Sequence, residues 1–382
     1  MSDLRLTALA ASLPSTVPFV GPETQERQLG QPFVARLGAN ESAFGPSPKA
    51  IEAMAGAAAD AWMYGDPENH DLRRALATHH GVPPDAVVVG EGIDGLLGYL
   101  VRLTVAAGDP VVTSLGAYPT FNYHVAGFGG DLHAVPYRGD HEDLDALART
   151  SHAVGARLVY LANPDNPMGS WHNAERVSAF LDALPDETLL VLDEAYVDFA
   201  PPQAVLDLDV TDPRLIRMRT FSKAHGLAGL RVGYALCHPN LAQAFNKVRN
   251  HFGMTRVSQA AAMASLADSN HLARTIGQTA AARTRIGRIA ARHGLLGLPS
   301  ATNFVAIDCG ADGARARAIL NGLVARGIFV RMPGVAPLDR CIRVSCGPDV
   351  MLDRFAEALR ETLAQVDPPE PVSKQAGAVT EP

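Results

Sequence analysis

Between about Asp85 and Leu236, short apolar, β-branched runs alternate with segments of helical periodicity. The runs are Ala86–Val89, Pro110–Ser114, Leu132–Tyr137, Arg157–Leu161, Thr188–Asp193, Leu215–Thr220 and Arg231–Leu236. Between them the spacing predicts helices near Gly92–Val105, Tyr118–Val125, Leu144–Thr150 and Asn173–Leu184. Strands that are apolar nearly throughout are buried on both faces, which is the pattern of a mostly parallel sheet with right-handed crossovers. The expectation is an α/β fold built on a mostly parallel, seven-stranded sheet.

After about Asn240 the pattern turns helical as far as roughly His293, where Arg285, Arg288 and Arg292 read as one solvated stripe. A smaller α+β pattern follows: strand Phe304–Asp308, helix Asp312–Ala325, strands Ile328–Arg331 and Cys341–Val344, and helix Asp349–Leu363. In the last helix Leu352, Phe355, Leu359 and Leu363 recur at core-face spacing. The division this implies is an N-terminal arm, residues 1–46, joining the small domain; a large domain, 47–255; a small domain, 256–366; and a disordered tail, 367–382.

Charge narrows the possibilities. Lys plus Arg total 33 against 40 Asp plus Glu, a net −7. That balance argues against nucleic-acid binding, which needs a basic footprint. Cys237, Cys309, Cys341 and Cys346 lie far apart with no CxxC pair, so neither a disulfide scaffold nor a cysteine metal site is expected. A reduced, cytoplasmic setting is the reading, with no membrane span and no signal peptide. Lysine is scarce: only Lys49, Lys223, Lys247 and Lys374 occur. Any chemistry that needs an amine nucleophile has four candidates.

Four features fall at the C-terminal ends of predicted parallel strands, where open α/β sheets place ligands. Gly90-Glu91-Gly92-Ile93-Asp94-Gly95 opens a helix and suits a phosphate at its N-terminus. Formally it also fits the dinucleotide fingerprint, but the following strand, Pro110–Ser114, does not end in the acid that a ribose requires. Asn163-Pro164-Asp165-Asn166-Pro167-Met168-Gly169 reads as a turn, or as a loop aiming the Asn166 amide at a ligand oxygen. Asp193, before Glu194-Ala195-Tyr196, ends an apolar strand and, if buried, needs a cationic partner. The fourth is Thr220-Phe221-Ser222-Lys223-Ala224-His225-Gly226-Leu227-Ala228-Gly229-Leu230-Arg231, where a lysine follows a strand among small and apolar neighbours. An amine in such a cleft becomes a usable nucleophile, and Arg231 supplies a fixed charge for phosphate. Together they describe a ligand with a phosphate, an oxygen, a cationic ring nitrogen and an aldehyde. Pyridoxal 5'-phosphate has all four.

These residues resemble those of the fold-type I, class I/II aminotransferases, and within them the histidinol-phosphate aminotransferase family, over about Pro18 to Gln365. Thr220–Tyr234, Asp193–Tyr196, Asn166-Pro167 and Gly38-Ala39-Asn40-Glu41-Ser42 carry the resemblance. It implies that Lys223 is the Schiff-base lysine and proton carrier, and that Asp193 pairs with the ring nitrogen. Tyr196 and Asn166 hold the ring oxygen, and Tyr118 stacks on the ring. Gly92, Ile93, Asp94, Ser222 and Arg231 serve the phosphate. Tyr64 reaches the phosphate of a neighbouring subunit, which implies a homodimer with shared sites. Arg343 clamps the substrate carboxylate, Arg331 the distal phosphate, and Asn40 belongs to the substrate side. The implied partners are a small amino donor and the glutamate/2-oxoglutarate pair. Two positions depart from the family pattern: Met168 replaces a hydroxyl, and Phe19 stands where a tyrosine would help hold the substrate phosphate. An aromatic amino-acid donor therefore stays open. So do a decarboxylase of the same fold, a nicotinamide-dependent dehydrogenase and a non-catalytic sensor of the cofactor.

Overall fold

A computed structural model of the chain describes residues 5–15 and 20–366. Phe19 and the tail 367–382 lie outside the described residues. Twelve strands run in chain order: β1 (Ala35–Arg36), β2 (Val87–Gly90), β3 (Pro110–Ser114), β4 (Asp131–Val135), β5 (Leu158–Ala162), β6 (Leu189–Asp193), β7 (Leu215–Thr220), β8 (Gly233–Cys237), β9 (Leu296–Gly297), β10 (Phe304–Asp308), β11 (Ile328–Phe329) and β12 (Cys341–Ser345).

Seven of them form one sheet in the order β2-β8-β7-β6-β5-β3-β4. The neighbours from β7 to β4 pair in parallel, and β8 pairs antiparallel with both β7 and β2. The direction of β8 follows from its link. Between Thr220 and Gly233 lies only the short 3₁₀ turn Ala228–Leu230, whereas a parallel return needs a full crossover. Every residue of β5 is buried, and its side chains divide by the period of two. Leu158, Tyr160 and Ala162 join the cluster of Leu96, Leu97 and Phe121, whereas Val159 and Leu161 join that of Leu147, Phe180 and Leu190. Helix Gly92–Thr104 buries Leu96, Leu97, Leu100 and Val101 on this sheet, each such side chain contributing about 1.5–3 kcal/mol on burial. That packing fixes the helix's N-terminus at the sheet's C-terminal edge.

A second core forms around the antiparallel sheet β9-β10-β12. Ile286 and Ile289 of helix Ser269–Arg292, Ile319 and Leu323 of helix Gly313–Ala325, and Phe355 and Leu359 of helix Asp349–Val366 pack there with Ile307 and Val344. The arm enters this core directly: β1 pairs in parallel with β11, and Ala35 and Leu37 are buried in the same cluster.

Three readings change. Arg285 is not part of a free stripe, because it binds Asp349 and Asp353 of the last helix. The strand expected over Ile328–Arg331 stops at Phe329, and Arg331 forms only an isolated bridge with Arg343. Arg231 does not begin β8; it sits before it with a left-handed φ of 53°. The helices Pro22–Leu29, Pro48–Ala58 and His70–His80 were not expected. Among the described residues no helix is long and apolar enough to cross a membrane.

Candidate active site

The C-terminal ends of β5, β6 and β7 open on a cleft of about 450 Å³. Every cofactor or substrate candidate named above lines it except Gly92 and Tyr64. Asp193, the last residue of β6, lies on its floor. The carboxylate is buried, with Oδ2 accepting from the Tyr160 hydroxyl at 2.6 Å and Oδ1 from the Ala195 amide at 2.9 Å. Burial pushes its pKa up to about 6; those two hydrogen bonds and the Lys223 charge pull the other way, and Asp94 adds to the rise. Two neutral donors do not offset a buried negative charge, so this site favours a ligand that brings a positive one.

Lys223 follows β7 and is half-buried. Its Nζ donates to the Asn40 carbonyl at 3.2 Å and lies 5.5 Å from the centre of the Tyr196 ring. Asn40, in a left-handed conformation with φ of 55°, donates from Nδ2 to the Tyr196 hydroxyl at 2.9 Å. Its Oδ1 accepts from Ser345 Oγ. The Asn40 side chain thus serves the protein's own frame, at a position that lines the cleft.

The third corner is built for an anion. Glu91 caps helix Gly92–Thr104 without a side-chain hydrogen bond, leaving the first-turn amides to a ligand. Gly92 has φ of 74°, and a Cβ there would lie 2.5 Å from an Arg231 nitrogen, so only glycine admits the turn and the guanidinium together. Arg231 reaches Ser222 Oγ at 3.4 Å and Asp94 Oδ2 at 3.5 Å. The half-buried Tyr118 donates to Asp94 Oδ1 at 2.9 Å, and burial raises its phenol far above its ordinary range, so it stays protonated.

At the opposite wall the backbones of Arg331 and Arg343 face each other across the bridge, with Arg343 N donating to Arg331 O at 2.6 Å. The Arg343 guanidinium lies over the Phe304 ring at 5.2 Å and donates to Asn166 Oδ1, and its Nε is buried without a hydrogen-bond partner. Asn166 therefore faces this arginine in the structure. Arg331 donates to the Val20 carbonyl at 2.9 Å.

Tyr64 is not brought into this chain's cleft. It is 77% exposed, and its ring lies 4.8 Å from that of the exposed Phe252, tilted by 43°. Three contributors were not singled out in the sequence. Tyr160 holds Asp193; Asn303 Nδ2 donates to the Asn40 carbonyl at 2.9 Å; and Ser345 fixes Asn40 from β12. A tyrosine two residues before the end of the strand beside an acid-ended one could have pointed to Tyr160. Nothing in the sequence marks the other two.

Comparison with known proteins agrees with this geometry. Residues 34–359 match the model for aminotransferase class I and II. The histidinol-phosphate aminotransferase of Anaeromyxobacter sp. (strain Fw109-5) is 37% identical over 341 residues, covering 88% of this chain and 93% of its own length. That of Roseiflexus castenholzii is 36% identical over 360 residues, covering 92% and 96%. The crystal structure of histidinol-phosphate aminotransferase from Sinorhizobium meliloti, in complex with pyridoxal-5'-phosphate, superposes with a TM-score of 0.93 at 58% identity, covering 95% of this chain and 98% of that one. With the cleft, the paired arginines and these likenesses together, the chain belongs to the class I and II aminotransferases, and within them to the histidinol-phosphate aminotransferase family.

Proposed function

We propose that this enzyme moves the amino group of histidinol phosphate to 2-oxoglutarate, in ping-pong fashion, with pyridoxal 5'-phosphate as cofactor. The observation that carries the reading is that one cleft gathers Lys223, the buried Asp193 and the anion corner of Ser222, Arg231 and the Gly92 helix. When bound, the cofactor supplies an aldehyde for amines and a ring that draws electrons from the substrate's α-carbon. Asp193, held by Tyr160, keeps a ring nitrogen protonated by offering it a buried negative charge. The Gly92 and Ile93 amides, Asp94, Ser222 and Arg231 anchor the phosphate end. Tyr196, oriented by Asn40, and the Asn166 amide would hold the ring's oxygen, and Tyr118 would cover the ring. Lys223 Nζ takes the α-proton and returns it, with the Asn40 carbonyl holding the amine in place between transfers.

Arg331 and Arg343 sort the two substrates. The donor carries a phosphate and no carboxylate, the acceptor two carboxylates, and paired cations on one wall serve both. The exposed, contacting pair Tyr64 and Phe252 supports a homodimer in which Tyr64 completes the partner's phosphate site. We also propose a large domain at 47–255 and a small one at 256–366 with the arm 1–46; helix Arg256–Leu266, however, packs Ala261 and Ala262 against Ala50, Leu72 and Leu76, which carries the large domain's core past residue 255. Four buried free cysteines suit a cytoplasmic protein.

A half-reaction screen tests the assignment. Histidinol phosphate is expected to convert the bound cofactor to its amine form faster than phenylalanine, tyrosine or threonine phosphate. Preference for phenylalanine or tyrosine, or carbon dioxide release from threonine phosphate, would replace it.

A further inference from the structure

Behind the cleft wall lies a second set of ionisable groups that the chemistry above does not use. The pairing of β3 with β5 covers only Val111–Leu158 and Val112–Val159. Past that point the Glu142 carboxylate joins the two strand ends. Its Oε2 accepts from Ser114 Oγ on β3, and its Oε1 from the Ala162 amide on β5 at 2.9 Å. Glu142 is 2% exposed. Next to it is Asp165, equally buried, which accepts from the Tyr137 hydroxyl at 2.9 Å and from the Met168 amide at 3.1 Å. Asp165 thus closes the turn that carries Asn166, and Asn166 in turn accepts from Arg343. Every donor to the two acids, the Asn166 amide at Asp165 included, is neutral.

Two buried carboxylates this close do not both ionise readily. Burial lifts Asp165 to about 7 and Glu142 well above the ordinary carboxylate range, with the Asp165 charge adding to the rise at Glu142. The Arg343 charge, Tyr137 and the Met168 amide oppose that shift at Asp165; Asp193 faces Glu142 from β6, and the His172 ring meets the Glu142 carbonyl. Around Arg343 itself stand Tyr196, Tyr118, Arg331 and Asp165.

We propose that Asp165, seated on Tyr137 and backed by Glu142, is a positioning residue that sets the net charge around Arg343 and so tunes how tightly that arginine holds a substrate anion. The inference rests on Arg343 being the anion clamp. Its sign follows from the chemistry. When Asp165 is neutral, the Arg343 charge is uncompensated and grips a carboxylate. As the pH rises through neutrality, Asp165 ionises, offsets the Arg343 charge through space, and loosens the grip.

The test is calorimetric binding of glutarate to the cofactor-loaded enzyme from about pH 6 to about pH 8.5, where the ligand stays doubly ionised. Wild-type Kd is expected to weaken by about fivefold or more across that range. Asp165→Asn is expected to hold the tight, low-pH affinity throughout. Tyr137→Phe removes a hydrogen bond to the ionised form and is expected to move the inflection to higher pH, which decides the matter should the first variant fold poorly. A wild-type slope in Asp165→Asn, or an unmoved inflection in Tyr137→Phe, overturns the proposal. Arg343→Gln is expected to bind weakly at every pH. If it binds like wild type, the clamp reading fails first and this inference falls with it, an outcome distinct from a wild-type slope in Asp165→Asn.

Discussion

The charge on Asp193 is held at a cost to the fold, and replacing it with asparagine exposes that cost. The folded pKa of about 6 stands above the ordinary 3.8. A carboxylate raised by folding favours the folded state below its unfolded pKa, and that advantage is lost as pH climbs through the folded one. Two units at 1.36 kcal/mol each correspond to about 3 kcal/mol lost between about pH 4 and pH 6, and to a constant deficit above. An asparagine in place of Asp193 would carry no charge. Its Oδ1 can still accept from the Ala195 amide, and its Nδ2 can donate to the Tyr160 oxygen, since a hydroxyl both donates and accepts. Weaker neutral hydrogen bonds return about 1 kcal/mol of the gain. Asp193→Asn should therefore stabilise the cofactor-free protein by about 2 kcal/mol at pH 8 and destabilise it slightly, by up to about 1 kcal/mol, at pH 4 and below. Denaturant melts of cofactor-free wild type and variant across that range measure the difference. The same variant should lose at least about a hundredfold in kcat, because a ring nitrogen without its counter-charge no longer draws electrons. If the two proteins unfold alike at pH 8, or the variant unfolds more easily, burial does not penalise this carboxylate and the argument for a cationic ligand fails.

Three other changes test neighbouring parts. Tyr160→Phe deletes the 2.6 Å hydrogen bond to Asp193; at about 1.5–3 kcal/mol for a charged acceptor, it should weaken cofactor binding about tenfold or more by fluorescence titration, with little change in substrate KM. Arg331→Gln should raise KM for histidinol phosphate by about tenfold or more while leaving glutamate less affected, and equal losses for both would deny it a role in telling them apart. Tyr64→Phe should weaken cofactor affinity about tenfold and act across subunits, so that hybrids with a Lys223→Ala chain separate its effect from that of the cleft it leaves.

The large sheet was legible because its strands are apolar on both faces, and the chemistry because lysine is so rare that Lys223 stood out beside a strand end. What could not be read has particular causes. The reversed β8 carries the same apolar pattern as its neighbours, and direction lies in the link rather than in the strand. Tyr160 reads as one more apolar residue of β5, since its hydroxyl finds Asp193 only through the pairing of β5 with β6. Asn303 and Ser345 meet Asn40 across more than half the chain's length, contacts that no local pattern encodes. Glu142 sits in the polar run His141-Glu142-Asp143 and looks like surface until the β3–β5 pairing is known to stop short. Tyr64 does not line its own cleft, and its reading depends on a second chain.

The most direct test of the account is borohydride reduction of the cofactor-loaded protein, followed by peptide mass mapping. A phosphopyridoxyl group is expected on Lys223 alone of the four lysines, and none after Lys223→Ala. Attachment at Lys49, Lys247 or Lys374, or a Lys223→Ala protein that still traps the cofactor at full yield, would contradict it.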